Sequence, residues 1–376
     1  MLQRLDGIES CSAYMQDFQN ELGVCVQKAA DEIAKSRRRN ATLITANNAK
    51  IDGLVRNFTM FMADLNRIRV AQEDKASNQG EVINLRREWG ILTGNSNRLR
   101  VDLNNWGRVR DLVIQQSKPR RRKLYEPEDK LPHSTYHQMC ASDDVFEWLV
   151  TMINPAAQSQ IARDHQCFPD IGLPNSDFHA HLHAAYRVLL TRDMDHPTRF
   201  LDVGCGGGLK VFSAQRYFDE VSGFDFDPAY VRAANQFLSR DPDGTAEVFE
   251  QDALTYDGYE EYDVIYFYRP ISDDAVLAEM ERRICEICRP GTLLIAPYRS
   301  FPSRAEGLGC GHIGGAVYLA QTAQKDADKA RRLAEQTGPF IIKDTNSPLS
   351  SVWDPILTAS RRNGYDLAVP YKKPRH

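Results

Sequence analysis

A chain of 376 residues, 42% hydrophobic and 26% charged, has room for two or three domains and enough apolar content to bury their cores, which excludes a disordered polymer or a small disulfide-stapled module. No run approaches the ~18 consecutive apolar residues of a membrane-spanning helix, and Met1-Leu-Gln-Arg-Leu-Asp6 lacks the charged-then-apolar pattern of an export signal; a cytoplasmic protein with its eight cysteines as thiols is expected. The net charge of −4 is uneven: residues 1–123 hold 22 Lys and Arg against 14 Asp and Glu, residues 124–376 hold 25 against 37, so a basic part precedes an acidic one. Such an appendage suits an anionic partner such as nucleic acid, an anionic membrane or the chain's own acidic half, although solvated helical faces would account for it equally.

In chain order, apolar residues first recur at three- and four-residue spacing from Ile8 through Cys11, Met15, Phe18, Leu22 and Cys25 to Ala29. After the polar break Lys35-Ser-Arg-Arg-Arg-Asn40 the seam resumes at Ile44, Asn47, Ile51, Leu54, Phe58, Phe61, Leu65 and Ile68, and after Glu73–Gly80 at Val82, Leu85, Trp89, Leu92, Leu99, Leu103, Trp106 and Val113. Residues 1–116 are therefore an all-α coiled-coil or helical-bundle region, because a narrow apolar stripe must pair with another helix. An antiparallel bundle within one chain and a coiled coil between chains both satisfy that need. The short breaks favour folded-back hairpins with self-association, which makes a homo-oligomer through these helices the expectation; Asn47 at a seam position is the residue type that fixes register. Asn40-Ala-Thr and Asn57-Phe-Thr fit a glycosylation acceptor pattern that matters only in a secreted chain.

Lys118-Pro-Arg-Arg-Arg-Lys123, followed by Pro127 and Pro132, marks 117–135 as an exposed basic linker, suited to phosphates or to a solvated hinge. Residues 136–195 read as a helical cap leading into the next domain: Asp143–Ile153 helical, Cys167-Phe-Pro-Asp-Ile-Gly-Leu-Pro174 a loop, then a helix from Asn175 to about Leu190 capped by Ser176 or Asp177. His179 and His183 share one face as zinc ligands would, but no third ligand accompanies them. Cys285-x-x-Cys288 lies within a helical pattern and is read as core-facing rather than as a redox or zinc pair.

From Arg199 strands and helices alternate: strands at 199–203, 220–225, 246–250, 262–267 and 292–297, helices at 209–218, 228–239 and 273–288. That alternation predicts an α/β domain over 196–376, a doubly wound, Rossmann-like parallel sheet with ligands at the carboxyl ends of its strands. The first strand enters Gly204, Gly206, Gly207 and Gly208, where a backbone without Cβ atoms and a fresh helix start suit a polar or anionic ligand. About twenty residues on, Val221-Ser-Gly-Phe-Asp-Phe-Asp227 ends a second strand in acids, at the distance where a βαβ unit sets a carboxylate beside a ribose. Beyond Tyr298 the pattern is weaker: Leu308–Gly315 is a glycine loop before the apolar run Ala316–Ala320, and the tail carries Pro370 and Pro374.

Asp202-Val-Gly-Cys-Gly-Gly-Gly208 resembles the acid-x-Gly-x-Gly-x-Gly motif of the class I S-adenosylmethionine-dependent methyltransferases, and Asp225, Asp252, Tyr262–Tyr268 and Arg289-Pro-Gly-Thr-Leu-Leu-Ile295 resemble that family's later motifs in order and spacing, over about residues 165–320. The resemblance implies S-adenosyl-L-methionine as cofactor. It sets the backbone of Gly204, Cys205, Gly206 and Gly208 against the methionine part, Asp202 beside its ammonium, Asp225 on the ribose with Phe226 next to it, and Asp252 at the adenine amine with Ala253 and Tyr268 nearby. In similar enzymes the segment before the first strand often covers the cofactor, which brings His179, His183 and Tyr186 into view. Tyr268-Arg-Pro-Ile271 departs from the Asn-Pro-Pro-Tyr pattern of resembling amino-methylating nucleic-acid enzymes and lacks the acid of the metal-dependent catechol enzymes. Tyr268 and Arg269 become candidates to orient, deprotonate or hold the acceptor, and His312 a candidate base because imidazole titrates near neutral pH. The expected activity is methyl transfer to an acceptor ranked as a glycan or small-molecule oxygen, then protein, then RNA guided by the basic region; the competing reading is a non-catalytic scaffold on the same fold.

Overall fold

A computed structural model describes residues 5–35, 40–76, 78–117, 121–125, 133–170, 172–192, 194–242, 244–338, 351–365 and 367. The chain divides into two compact units, one of residues 1–120 with 344–376, the other of residues 121–343.

The first unit is helical. Helices α1 (Ile8–Ala34), α2 (Ala41–Glu73), α3 (Gln79–Asn104) and α4 (Trp106–Ser117) follow one another, and a C-terminal helix, Asp354–Arg362, completes it. The seam residues Phe18, Phe58, Phe61, Leu65, Trp89 and Leu103 are all buried in one cluster, so the heptad stripes pair within this chain as a bundle. Asn40 serves as the α2 cap, its Oδ1 accepting from the Thr42 and Leu43 N–H groups at 3.0 and 3.1 Å. Asn47 sits at the predicted interface but donates to the Cys25 carbonyl at 2.6 Å, a register bond inside the chain. The span 196–376 read from sequence as the α/β domain took in a tail for which no helix was predicted; residues 344–376 group with the helical unit, where Trp353 stacks on Trp106 with centroids 4.9 Å apart and donates its Nε1–H to the Asp102 carbonyl, which ties the tail to α3 and α4. Pro370 and Pro374 lie outside the described residues.

The second unit carries α5 (His133–Ile153), α6 (Gln160–Asp164) and α7 (Asn175–Leu189), then β1 (Arg199–Val203), α8 (Leu209–Ala214), β2 (Glu220–Asp225), α9 (Pro228–Leu238), β3 (Ala246–Glu250), a 3-10 turn Gly258–Glu261, β4 (Val264–Phe267), α10 (Asp274–Ile287), β5 (Leu293–Ile295), α11 (Phe301–Ala305), β6 (Gly311–Gly314), β7 (Val317–Leu319) and α12 (Gln324–Ala334). The sheet order is β3-β2-β1-β4-β5-β7-β6. Strands β1 to β5 are parallel, β7 runs antiparallel to β5, and β6 antiparallel to β7. Alternation along each strand fills both faces: Phe200, Val264 and Leu293 pack with Phe178, Leu182 and Val211 on one side, while Leu201, Ile265 and Leu294 pack with Leu277, Met280 and Ile284 on the other. A doubly wound sheet follows from that two-sided burial.

Three local expectations change. The glycine loop around His312 is the edge strand β6, whose alternation is masked by four glycines. Neither Ser176 nor Asp177 caps α7; Ser176 donates its N–H and hydroxyl to the Asp143 carboxylate, both at 2.7 Å. The basic linker is docked where it is described: buried Arg187 donates to the carbonyls of Lys123 and Arg122 at 2.9 and 3.0 Å, and Arg121 pairs with Glu335. Residues 118–120 and 126–132 of that predicted linker lie outside the described residues.

Candidate active site

At the carboxyl end of β1 the backbone takes left-handed φ values of 78°, 54° and 78° at Gly204, Gly206 and Gly208. Space repeats what φ demands. A Cβ on Gly204 would stand 2.5 Å from the Pro270 Cβ, and one on Gly206 2.5 Å from the Asp170 carboxyl group. The Gly204 and Cys205 N–H groups both donate to the Phe224 carbonyl, at 2.9 and 3.0 Å, which pins the turn to the end of β2. Cys205 offers its backbone only; its thiol is in the core, pushed well above the usual thiol range by burial.

The parallel register brings the acids together, since Val203 lies beside Phe224 on one side and Phe267 on the other. Asp225, at the end of β2, accepts from the Gly206 and Asp227 N–H groups, each at 2.9 Å. Burial pushes its carboxyl up to about 6 against the pull of those two bonds. Asp227 is spent structurally, capping α9 through the Ala229 N–H at 2.8 Å and taking the Ser159 N–H at 2.8 Å. Asp252 follows β3, accepts the Leu254 N–H at 2.8 Å and turns its other oxygen to His165 Nε2, 3.3 Å away.

One cleft is lined by Gly204, Lys210, Asp225, Phe226, Asp252, Ala253, Tyr266, Tyr268 and Arg269 from the sheet side, and by His165, Cys167, Phe168 and Asp170 from the segment before α7. Seven of the sequence-selected residues, Gly204, Asp225, Phe226, Asp252, Ala253, Tyr268 and Arg269, thus line one cleft, and Asp202 lies just before its glycine turn on β1. Asp202 is 1% exposed, and neither of its carboxylate oxygens has a hydrogen-bond partner. Burial raises it to about 7, opposed by the charge of Lys210 and reinforced by Asp170 and Asp225. The neighbouring β4 residue Tyr266, beside Asp202 in register, has an equally unpartnered buried hydroxyl.

On the rim after β4, Lys210 stands 5.5 and 5.3 Å from the ring centroids of Tyr266 and Tyr268. Arg269 takes a φ of 47°, unusual for a side chain with a Cβ, with its guanidinium 4.9 Å from the Phe168 ring and 3.5 Å from Asp274. His312 is not part of this cleft. It points into a separate groove with Cys310, Tyr318 and Gln324, its Nε2 lying 3.0 Å from the Gly315 carbonyl. His179 is also absent from the lining: its Nδ1 lies 2.8 Å from the Tyr217 hydroxyl, and burial lowers its pKa. Helix α7, with buried Tyr186, packs on a sheet face; a residue with Phe178 and Leu182 on its helix is drawn to the core. Among the described residues no cluster of His, Cys, Asp and Glu is arranged for a metal.

The cover is a strap of residues 158–170 within the 136–195 cap, of which the sequence singles out only the loop beginning at Cys167. Its backbone is stitched to the rim: Phe168 N–H donates to the Pro270 carbonyl at 2.9 Å, Ser272 N–H to the Gln166 carbonyl at 2.8 Å, and Cys167 bridges Ile271. Gln158 donates to the carbonyls of Cys167 and Phe168 at 3.1 and 3.2 Å. Its sequence signal is faint: one aromatic and one acid beside a proline.

These residues fit S-adenosylmethionine. The cleft is acidic, with Asp170, Asp225 and Asp252 lining it and Asp202 buried beside its turn against Lys210 and Arg269, as suits a sulfonium with an ammonium group. The orphaned oxygens of Asp202 are acceptors awaiting a donor, and the glycine turn has no room for Cβ atoms. The sheet order, the glycine turn after β1 and the acids after β2 and β3 define the class I methyltransferase fold. Residues 200–291 match the family model described as a methyltransferase domain.

No curated protein matches the chain. Among solved structures it is similar to an S-adenosylmethionine-bound amino pentose methyltransferase of calicheamicin biosynthesis from Micromonospora echinaspora, at 22% identity over 34% of this chain and 53% of that one, TM-score 0.28. An RNA methyltransferase from Salinibacter ruber in complex with S-adenosylhomocysteine is 19% identical over 40% of this chain and 91% of that one, TM-score 0.29. A sugar N-methyltransferase from Streptoalloteichus is 21% identical over 39% and 56%, TM-score 0.28. The chain thus spans about half the length of the first and third of these.

Proposed function

We propose that this chain is an S-adenosylmethionine-dependent methyltransferase whose acceptor is an oxygen of a small molecule or glycan. The observation that carries the reading is the convergence of the glycine turn, Asp225 and Asp252 on one cleft, with the buried, unpartnered Asp202 carboxylate beside the turn. When bound, the cofactor supplies an electrophilic methyl group on a sulfonium. The Asp202 carboxylate holds the ammonium, with the Tyr266 hydroxyl beside it; the Asp225 carboxylate takes the ribose hydroxyls; Phe226 and Ala253 flank the adenine, with Asp252 at its amine. Lys210, Tyr268 and Arg269 lie on the rim where an acceptor approaches, and the strap keeps water from that side.

The acceptor preference draws on Tyr268, whose hydroxyl orients an attacking oxygen by hydrogen bonding, and on Arg269, which holds an anionic or hydroxylated acceptor. Its guanidinium is already braced by Phe168 and Asp274, so it is pre-positioned rather than free to search.

Calorimetry with S-adenosylhomocysteine tests the cofactor site: the wild-type chain binds, and Asp225→Ala weakens binding about 100-fold through loss of two hydrogen bonds to a charged group. Incubation of fractionated lysate with methyl-labelled S-adenosylmethionine tests the acceptor. Label in small molecules or polysaccharide supports the proposal, label in protein or RNA replaces the acceptor, and cofactor binding without transfer to any fraction removes the enzymatic reading.

A further inference from the structure

The imidazole of His165 lies flat on the Phe226 ring, with centroids 4.0 Å apart and planes 14° from parallel. Its Nε2 is 3.3 Å from the Asp252 carboxylate. A flat heteroaromatic ring stacked on Phe226, with a nitrogen close to Asp252 but without a hydrogen bond to it, fills the aromatic face by which this cleft would recognise an adenine and lies beside the carboxylate that would accept its exocyclic N–H. No base fits between two rings already at stacking distance. We propose that His165 and the adenine of the cofactor compete for one subsite, so that cofactor entry requires the His165 ring to leave Phe226.

This inference rests on the proposed cofactor reading and adds to it a residue that sets how tightly the cofactor binds. The ring, and not the strap, is the moving part. The backbone around it is fixed at both ends: the His165 N–H donates to the Ile161 carbonyl at 3.0 Å, the Cys167 N–H to Ala162 at 2.9 Å, and the Gln166 carbonyl takes the Ser272 N–H and hydroxyl at 2.8 and 2.9 Å. Gln166 itself is held at a φ of 60°, a left-handed conformation that these bonds over-determine. The His165 side chain is 35% exposed, so a rotation about its own side-chain bonds carries the ring toward solvent without unfastening the strap. Asp252 then gains an N–H donor that His165 Nε2 does not supply, and Phe226 exchanges one aromatic partner for another, so neither group is left worse satisfied when the ring departs.

The test is calorimetry on the full chain with S-adenosylhomocysteine and, separately, adenosine. His165→Ala removes the competitor and tightens both ligands by about tenfold, the worth of one stacked aromatic pair. Phe226→Ala weakens both. Gln166→Gly relaxes the strap without touching the ring and leaves both affinities unchanged. If His165→Ala binds either ligand no better, or more weakly because the ring is a second wall for adenine, the competition is overturned while the cofactor reading stands. A gain in Gln166→Gly equal to that of His165→Ala overturns the ring in favour of strap mobility. If neither wild type nor His165→Ala binds S-adenosylhomocysteine, the cofactor reading fails and takes this inference with it.

Discussion

Asp202 holds two carboxylate oxygens in the protein interior with no donor to either, and this gives the cleft a pH response. Its folded-state pKa, about 7, lies above the ordinary carboxylate value of 3.8, because burial penalises the charge. A raised carboxyl favours the folded state most fully below the unfolded value, and that contribution is lost as pH rises through about 7. An ammonium ligand needs the charged form, so binding and folding respond to pH in opposite directions at this residue. The affinity for S-adenosylhomocysteine is expected to rise about tenfold between pH 6 and pH 8, the change in the ionised fraction of a group titrating near 7. Titrations at several pH values check it: Asp202→Asn binds more weakly and loses this part of the slope, whereas an unchanged slope in the variant would assign the response elsewhere. Asp225 titrates lower, at about 6, because two backbone N–H bonds already favour its charged form.

At the scale of elements, two ion-pair systems on α10 show how burial decides energy. Glu281 is fully buried; its carboxylate takes Arg304 Nε and Nη2 at 2.6 and 2.5 Å and the Tyr298 hydroxyl at 2.7 Å, fastening α11 and the end of β5 to α10. The next residue, Arg282, pairs with Glu279 and Glu286 on the exposed side of the same helix. Removing one partner of a buried pair leaves the other uncompensated, so Glu281→Ala should cost about 3 kcal/mol. Arg282→Ala should change stability by less than about 0.5 kcal/mol, since exposed i,i+3 and i,i+4 pairs are screened. Urea unfolding followed by far-UV circular dichroism compares the two, and equal effects would refute the ranking. The three buried thiols nearby, with Cys285 Sγ 3.6 Å from Cys310 Sγ and Cys288 one turn on, fit the core-facing reading of the Cys-x-x-Cys pair.

For the whole molecule, the two units can be followed separately. Trp89, Trp106 and Trp353 are buried in the helical unit, whereas Trp148 on α5 is 60% exposed, so tryptophan emission on unfolding reports chiefly on the bundle. Trp353→Ala opens a large cavity against Trp106 and leaves the Asp102 carbonyl with the Asn105 N–H as donor, at a cost of about 3–5 kcal/mol. The fluorescence transition should move to lower urea while S-adenosylhomocysteine binding, whose residues all lie in the sheet unit, persists; loss of binding would show that the helical unit supports the cleft. Much of this organisation was legible in the residues. The strands β1 to β5 announce themselves by period-two alternation and apolar runs, and the cofactor turn by glycines whose positive φ and crowded surroundings are local demands. The acids at strand ends need only a short count along the chain. What stayed hidden depends on partners far apart in sequence: the strap over the cleft through Ser159 and Asp227, the His165 ring on Phe226, the tail helix on Trp106, and the edge strand β6, whose pairing with β7 survives four glycines. Local periodicity and turn chemistry act over a few residues, so sequence alone determined the sheet and its glycine cradle. Contacts that close loops of tens to hundreds of residues have no such period, so only the tertiary structure decided what covers the cradle and where the tail packs.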